Sequence, residues 1–255
     1  MPIDKERLKE CYSYSTDDFT SKHILAPLGN LWSHILVRTP FTPNQITAFW
    51  GLLMIACSIT FVFGNYVLSI VAGVLWVIAY SLDYTDGTIA RYRNKTSRKG
   101  PFIDMINHRT SYMLLMFCIG ICAWRFGRTE FFGYSFAPEL YILLGFAAGF
   151  SMVLIMDFGE IYSDVAPELD INDGDGCMNV EGRKFKNKNL FAFISNINPL
   201  TFTNMMCLVP IFAAVKLLDV FIIIYGILYP LAALNRYFVF LGIIKEVEEK
   251  YDHKS

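Results

Sequence analysis

Charge is scarce in this chain, and so is any strand-like alternation. Charged residues make up 18% of the sequence against 54% hydrophobic, and the apolar residues stand in long runs instead of short polar/apolar alternations. That pattern reads as an all-α, polytopic membrane protein. The N-terminus, MPIDKERLKE, lacks a hydrophobic core segment, so no cleavable signal peptide is expected. Cys11, Cys57, Cys118, Cys122, Cys177 and Cys207 show no C-x-x-C spacing and read as reduced, structural thiols. No pair of hydrophobic segments carries matched breaks at midspan, which argues against a transporter. The net charge of −1 favours no class of partner, because the charges are segregated by loop; no nucleic acid is expected.

Six apolar runs are candidate spans: Ile46 to Phe63, Tyr66 to Leu82, Phe102 to Trp124, Leu140 to Met156, Phe202 to Leu218 and Val220 to Phe240. Several fall short of the roughly 20 residues a bilayer needs, but the second can continue as helix through Arg91. Six spans put both termini on one side. Lys5, Arg7, Lys9, Lys22 and Arg38 precede the first span, Arg91, Arg93, Lys95, Arg98 and Lys99 follow the second, and Arg183, Lys184, Lys186 and Lys188 lie between the fourth and fifth. Only Arg125, Arg128 and Lys216 lie opposite, so the positive-inside rule makes the termini and the richer loops cytosolic. This divides the chain into a cytosolic N-terminal segment (1–40), a membrane domain (41–245) with a cytosolic loop (157–199), and a charged tail (246–255). Ile24, Leu25, Leu28, Leu31, Trp32, Ile35 and Leu36 fall on one face of a helix over 24–36, which lies in the membrane interface or packs on the bundle.

Against this apolar background one segment stands out: D-Y-T-D-G-T-I-A-R from Asp83 to Arg91, then Gly100, Asp104 and His108. On helices, Asp83 and Asp86 are three apart and Asp104 and His108 four apart, so each pair shares a face. Two neighbouring helices can thus aim hard ligands at one spot. Gly87 and Ala90 leave room for another backbone or a flat ligand. Carboxylates at membrane depth cost several kcal/mol unless paired or bound to a cation, so they mark function. Oxygen ligands of this kind suit Mg2+ or Mn2+.

The pattern resembles the signature of the CDP-alcohol phosphotransferase family, D-x2-D-G-x2-A-R-x8-G-x3-D-x3-D, at every position except the last, where this chain has His108. With ordinary residue usage, seven such positions coincide about once in 10^8 starts. Pro43-Asn44-Gln45-Ile46-Thr47 is also similar to the stretch that opens the first membrane helix of that family. The resemblance implies a membrane transferase using Mg2+ or Mn2+, two ions, in which an acceptor hydroxyl attacks the substituted phosphate of a CDP-alcohol and CMP leaves. Asp83, Asp86, Asp104 and His108 would hold metal, with His108 and Asp104 at the reacting groups. The nucleotide would meet Asn44, Thr47, Asp83, Gly87, Ala90, Arg91 and Gly100. CDP-diacylglycerol or a CDP-linked head group would be the donor and a lipid or polar alcohol the acceptor, within a homodimer surrounded by membrane lipid.

Several roles keep two readings. Arg91 is a phosphate contact or an ion-pair partner of a motif aspartate, and Asn44 and Thr47 contact nucleotide or cap a helix. Arg109 and Arg236, the remaining cations within spans, suit a phosphate-bearing acceptor, though Arg236 can instead snorkel to the interface. Asp157 and Glu160 bind acceptor hydroxyls or solvate a helix end. His108 replaces a usual aspartate, removing one negative charge and leaving an imidazole as base or neutral metal ligand. The alternative for the whole chain is an inactive relative serving as membrane scaffold or nucleotide sensor; its three retained aspartates argue against that. The loop stretch from Asp170 to Glu181 nearly matches a calcium-binding loop but has Asp175 where glycine belongs, so a solvated loop is expected.

Overall fold

The computed structural model describes residues 4–12, 18–131, 133–165, 198 and 200–252. A short helix α1 (Lys5–Glu10) and a π-helical turn at Ser21–Leu25, which runs directly into α2 (Ala26–Leu36), precede the long helices. These are α3 (Pro43–Thr60), α4 (Tyr66–Ser81), α5 (Asp83–Tyr92), α6 (Lys99–Phe126), α7 (Leu140–Val165), α8 (Phe202–Ala214) and α9 (Leu218–Asp252). One two-stranded antiparallel ribbon, β1 (Glu130–Phe131) with β2 (Tyr134–Ser135), joins α6 to α7.

Local sequence explains where the helices begin. Thr42 accepts from the Gln45 amide while the Gln45 side chain accepts from the Thr42 amide, and Pro43 occupies the first helical position, so α3 starts with a full capping box. Asn65 caps α4 through the Leu68 amide at 3.0 Å, after Gly64 turns the chain at φ +63°. The α4 and α5 segments form nearly one rod, interrupted only at Leu82. The helices run antiparallel, so the starts of α3, α6 and α8 share one end of the bundle with the ends of α5, α7 and α9.

Large side chains fill the core: Trp50, Met54, Phe61, Trp76, Leu115, Met116, Ile119, Tyr141 and Phe221 are each 1% exposed or less. Helices α6 and α7 come close where Gly120 and Gly145 face each other; a Cβ on either would stand 3.0 Å from the other's Cα. Small residues permit that approach, as at membrane helix interfaces generally.

Among the described residues, four helical stretches are long and apolar enough to cross a membrane: Pro43–Phe63, Tyr66–Tyr92, Leu140–Ile161 and Leu218–Lys245. The second confirms that the span after Tyr66 continues through the aspartate motif. Helix α6 has the length, at 28 residues, but Asp104, His108, Arg109 and Arg125 interrupt it. Helix α8 has only 13 residues and stops at Ala214, short of the expected Leu218, because Lys216 takes a left-handed conformation at φ +57°. The last helix runs through the expected tail boundary at 245/246 to Asp252. The apolar face over 24–36 is also split: Leu25 is buried, while Ile24, Leu31 and Ile35 are 38%, 54% and 48% exposed. Ala26, Gly29 and Ser33 are the buried α2 residues instead, with Gly29 against Ser81 and Tyr84. Cys11, Cys57, Cys118, Cys122 and Cys207 are free thiols. Cys177, the near-calcium stretch 170–181, the basic run 183–188 and His253 lie outside the described residues.

Candidate functional site

At the shared helix ends, α5 and α6 bring three side chains together. His108 Nε2 lies 3.5 Å from Asp83 Oδ2 and 3.3 Å from Asp104 Oδ1. Ligating atoms of all three fall within 4.8 Å of one another. The four-residue step from Asp104 to His108 puts both on one stripe of α6, which passes beside the first turn of α5. Asp104 Oδ1 is shut away from solvent and accepts no hydrogen bond, even with an imidazole nitrogen 3.3 Å away. A buried carboxylate oxygen left unmatched is costly. A divalent cation would match it, and two carboxylates plus one imidazole form a donor set that Mg2+ or Mn2+ accepts. The residues present therefore fit such an ion.

Asp86 faces α3 instead. Its Oδ2 accepts from Thr47 Oγ1 at 2.6 Å and from Trp50 Nε1 at 3.0 Å. Asn107 of α6 ties down the same turn, donating to the Thr47 carbonyl at 2.8 Å. Thr47 thus orients a motif carboxylate; the cap of α3 is Thr42, not Asn44 or Thr47. Asn44 Oδ1 accepts from Ser97 Oγ at 3.1 Å, and a Cβ on Gly100 would stand 3.3 Å from that oxygen. A glycine there lets the start of α6 close on the start of α3. Gly87 lies along the Arg91 guanidinium, since its Cβ would be 3.4 Å from Nη1, and Ala90 beside it is half-buried. Arg91, itself exposed, donates from Nε to the Cys11 carbonyl at 2.9 Å, so the N-terminal segment reaches the last turns of α5.

Three residues separately considered for acceptor binding form one ion cluster. Arg109 Nε meets Asp157 Oδ1 at 2.7 Å, and Arg109 Nη2 meets Glu160 Oε2 at 2.6 Å. Its guanidinium is already matched by protein carboxylates. Arg236 lies elsewhere, on the wall of a cavity of about 460 Å³ between α6, α7, α8 and α9. Asn235, Met156, Phe202 and Tyr112 also line it, and the Arg236 guanidinium sits 5.6 Å from the Phe240 ring centre.

Sequence reasoning missed four side chains. Tyr112 Oη is 2.7 Å from His108 Nδ1, and Tyr80 Oη is 3.3 Å beyond it. Trp50 packs its ring 5.1 Å from that of His108 while bonding Asp86. Continuing the Asp104–His108 stripe by four residues would have found Tyr112, and continuing from Thr47 by three would have found Trp50. Arg93 gave no such signal. Its guanidinium gathers the carbonyls of Leu36, Val37, Thr39 and Phe41, fastening the end of α5 to the connection that leads into α3.

Residues 41–163 match the family model described as CDP-alcohol phosphatidyltransferase. Among curated proteins, the chain is similar to a bifunctional IPC transferase and DIPP synthase of Thermococcus kodakarensis, 34% identical over 93 residues, covering 36% of this chain and 20% of that one. It is likewise similar to an archaetidylinositol phosphate synthase of Pyrococcus horikoshii, 34% identical over 86 residues, covering 34% of this chain and 44% of the other. The matched segment spans less than half the length of either relative.

Proposed function

Residues 41–163 belong to the CDP-alcohol phosphatidyltransferase family, and on that premise we propose that this chain transfers a substituted phosphate from a CDP-activated alcohol to a hydroxyl acceptor, releasing CMP, in the synthesis of phospholipids or related glycolipids. The observation that carries the reading is the convergence of Asp83, Asp104 and His108 around a carboxylate oxygen with no hydrogen-bond partner. A bound divalent ion, Mg2+ or Mn2+ and two in number by family resemblance, would offset the pyrophosphate charge and that of the departing CMP.

The remaining work falls to the side chains. Asp83 and Asp104 would hold the ions, and Asp86, oriented by Thr47 and Trp50, would add a carboxylate to their charge. Gly87, Ala90 and Gly100 form a low floor on which the nucleotide lies. Asn44 borders it, and Arg91 reaches the donor phosphates. His108 Nε2 takes the proton of the attacking hydroxyl as the new P–O bond forms and the P–O bond to CMP breaks. The mostly apolar cavity suits the hydrocarbon of a lipid substrate, with Arg236 at its phosphate. Arg109 shapes the acceptor side by holding Asp157 and Glu160 in place to receive hydroxyls.

The rest of the architecture follows. Helices α6 and α8 complete six spans with the four apolar stretches, and the termini and the site face the cytosol, where nucleotide-activated substrates are made. Segment 1–40 lies at the interface, with Ile24, Leu31 and Ile35 of its exposed face in lipid. Residues 41–245 form the transferase domain, 246–255 the tail, and two copies form a homodimer.

The test is CMP release by the purified full-length chain in detergent, with a CDP-alcohol donor and Mg2+ or Mn2+. Turnover that stops with EDTA and returns with metal is expected. No CMP release from either CDP-diacylglycerol or CDP-linked head groups, with Mg2+ present and the corresponding acceptors supplied, would overturn the reading.

A further inference from the structure

Asp104, His108 and Tyr112 follow one another at four-residue steps along α6, so one stripe of that helix runs from the carboxylates to a phenol. Tyr112 is 4% exposed and Tyr80 8%, which leaves their hydroxyls few partners besides each other and His108. A phenol has one proton to give. That of Tyr112 is directed at Tyr80 Oη, 3.3 Å away. At 2.7 Å from His108 Nδ1, Tyr112 Oη is then the acceptor, and the proton of that bond sits on Nδ1. The other nitrogen, Nε2, faces Asp83 and Asp104. With the proton on Nδ1, the lone pair of the neutral ring lies at Nε2, facing the carboxylates that would hold a cation.

Both rings are packed against aromatic neighbours. Tyr112 stacks on Phe202, with ring centres 3.4 Å apart and planes at 24°. The His108 ring lies among Trp50, Tyr80 and Tyr112, at 5.1, 5.6 and 5.3 Å.

We infer that Tyr112 is a positioning residue that fixes His108 with its proton on Nδ1 and its Nε2 lone pair toward Asp83 and Asp104, and that Tyr80 orients the Tyr112 hydroxyl for this task. The inference deepens the proposed transferase reading and rests on it for its consequence in turnover. A partner that holds the far nitrogen of a histidine is a common way to prepare the near one for metal or proton. Tyr112 also lines the cavity that holds Arg236, so the same residue borders both the carboxylate centre and the apolar chamber.

The experiment is nitrogen NMR of the full-length protein in detergent, with its histidine side chains labelled with nitrogen-15 and saturated with Mg2+. His108→Ala identifies the His108 signals. In the parent, Nδ1 should be protonated and Nε2 bare. Tyr112→Phe keeps the ring and its stack on Phe202, so it should fold normally, yet Nε2 should become protonated in part of the population. Metal affinity or turnover in that variant should fall roughly 10- to 100-fold, with the KM for the CDP-linked donor nearly unchanged. Tyr80→Phe should give a smaller shift in the same direction. A protonated Nε2 in the Mg2+-loaded parent, or His108 signals identical in parent and Tyr112→Phe, would overturn the inference. If the parent and variant signals behave as described but no CDP-dependent turnover exists, the inference stands and the transferase reading falls.

Discussion

The two ends of this bundle hold buried charge in opposite ways. At the end away from the site, Asp219 opens α9 and is 6% exposed, and Arg128 grips it with Nε at 2.7 Å and Nη2 at 2.9 Å. The Arg128 and Val220 amides add bonds at 3.1 and 2.9 Å. One carboxylate meets one guanidinium, and both carboxylate oxygens have donors. That neighbouring carboxylate raises the Arg128 pKa above its ordinary value, so the guanidinium stays charged at any working pH. At the site end, two carboxylates share one imidazole and a carboxylate oxygen has no donor at all. The first arrangement is complete within the protein. The second leaves a carboxylate oxygen open to a cation, which is what the proposed reading uses.

The sharpest way to break that contrast is to exchange the effects. Asp104→Asn should reduce CMP release by at least about 10^3-fold, since the charge stabilisation it anchors is worth several kcal/mol. Its thermal midpoint should hold steady or rise, because one of two crowded carboxylates has become neutral. Asp219→Asn should do the reverse and keep turnover near normal. Removing one partner of a buried pair costs 3–5 kcal/mol, and half-exposure of Arg128 discounts that to about 2 kcal/mol. Asp104→Asn losing as much stability as Asp219→Asn while turning over normally would erase the distinction.

A second test adds the proposed ion. Ligand that binds only the folded state stabilises it by about 2.7 kcal/mol at one hundred times its dissociation constant. Mg2+ should therefore raise the thermal midpoint of the parent, and EDTA should return it. Asp104→Asn should show little of this response and Asp219→Asn all of it. An equal response in Asp104→Asn would move the ion elsewhere.

These contrasts also explain how much could be read from sequence. Asp104 and His108 were legible because four residues along a helix is a local fact. The convergence of Asp83 with them was legible through the family pattern that links the two helices. Arg128 with Asp219, 91 residues apart, and Arg109 with Asp157 and Glu160 depend on how helices pack, which spacing alone does not encode. The α2 face failed for a different reason. Apolar periodicity points bulky residues inward, but here Gly29 and Ser33 make the closest approach to the rod of α4 and α5, leaving Leu31 and Ile35 outside. In lipid, small residues seek the interface and large ones lose nothing by facing out.

A third prediction probes what keeps the site end aligned. Arg93 collects four carbonyls between Leu36 and Phe41, and the α3 residues that follow include Thr47, which orients Asp86. Arg93→Lys retains the charge but loses the fork, so it should lower turnover roughly tenfold, by about 1.4 kcal/mol. Unchanged kinetics would show that the Thr47 and Trp50 bonds alone suffice to set Asp86.

The smallest effect is expected at Arg236, and it separates the two arginines once considered together. Arg109 already meets Asp157 and Glu160 at 2.7 and 2.6 Å, so a substrate phosphate would have to compete with two protein carboxylates for it. Arg236 lines the cavity and packs on Phe240 through its ring face, a contact that leaves the edge of a guanidinium able to donate. Its partial exposure weakens any charge contact it makes, to about 1 kcal/mol. Arg236→Gln should therefore raise the KM for the lipid substrate roughly fivefold and leave kcat within a factor of two, the signature of binding lost equally in ground and transition states. A fall in kcat with KM unchanged would instead place Arg236 at the reacting phosphate, and no change in either would return it to the interface.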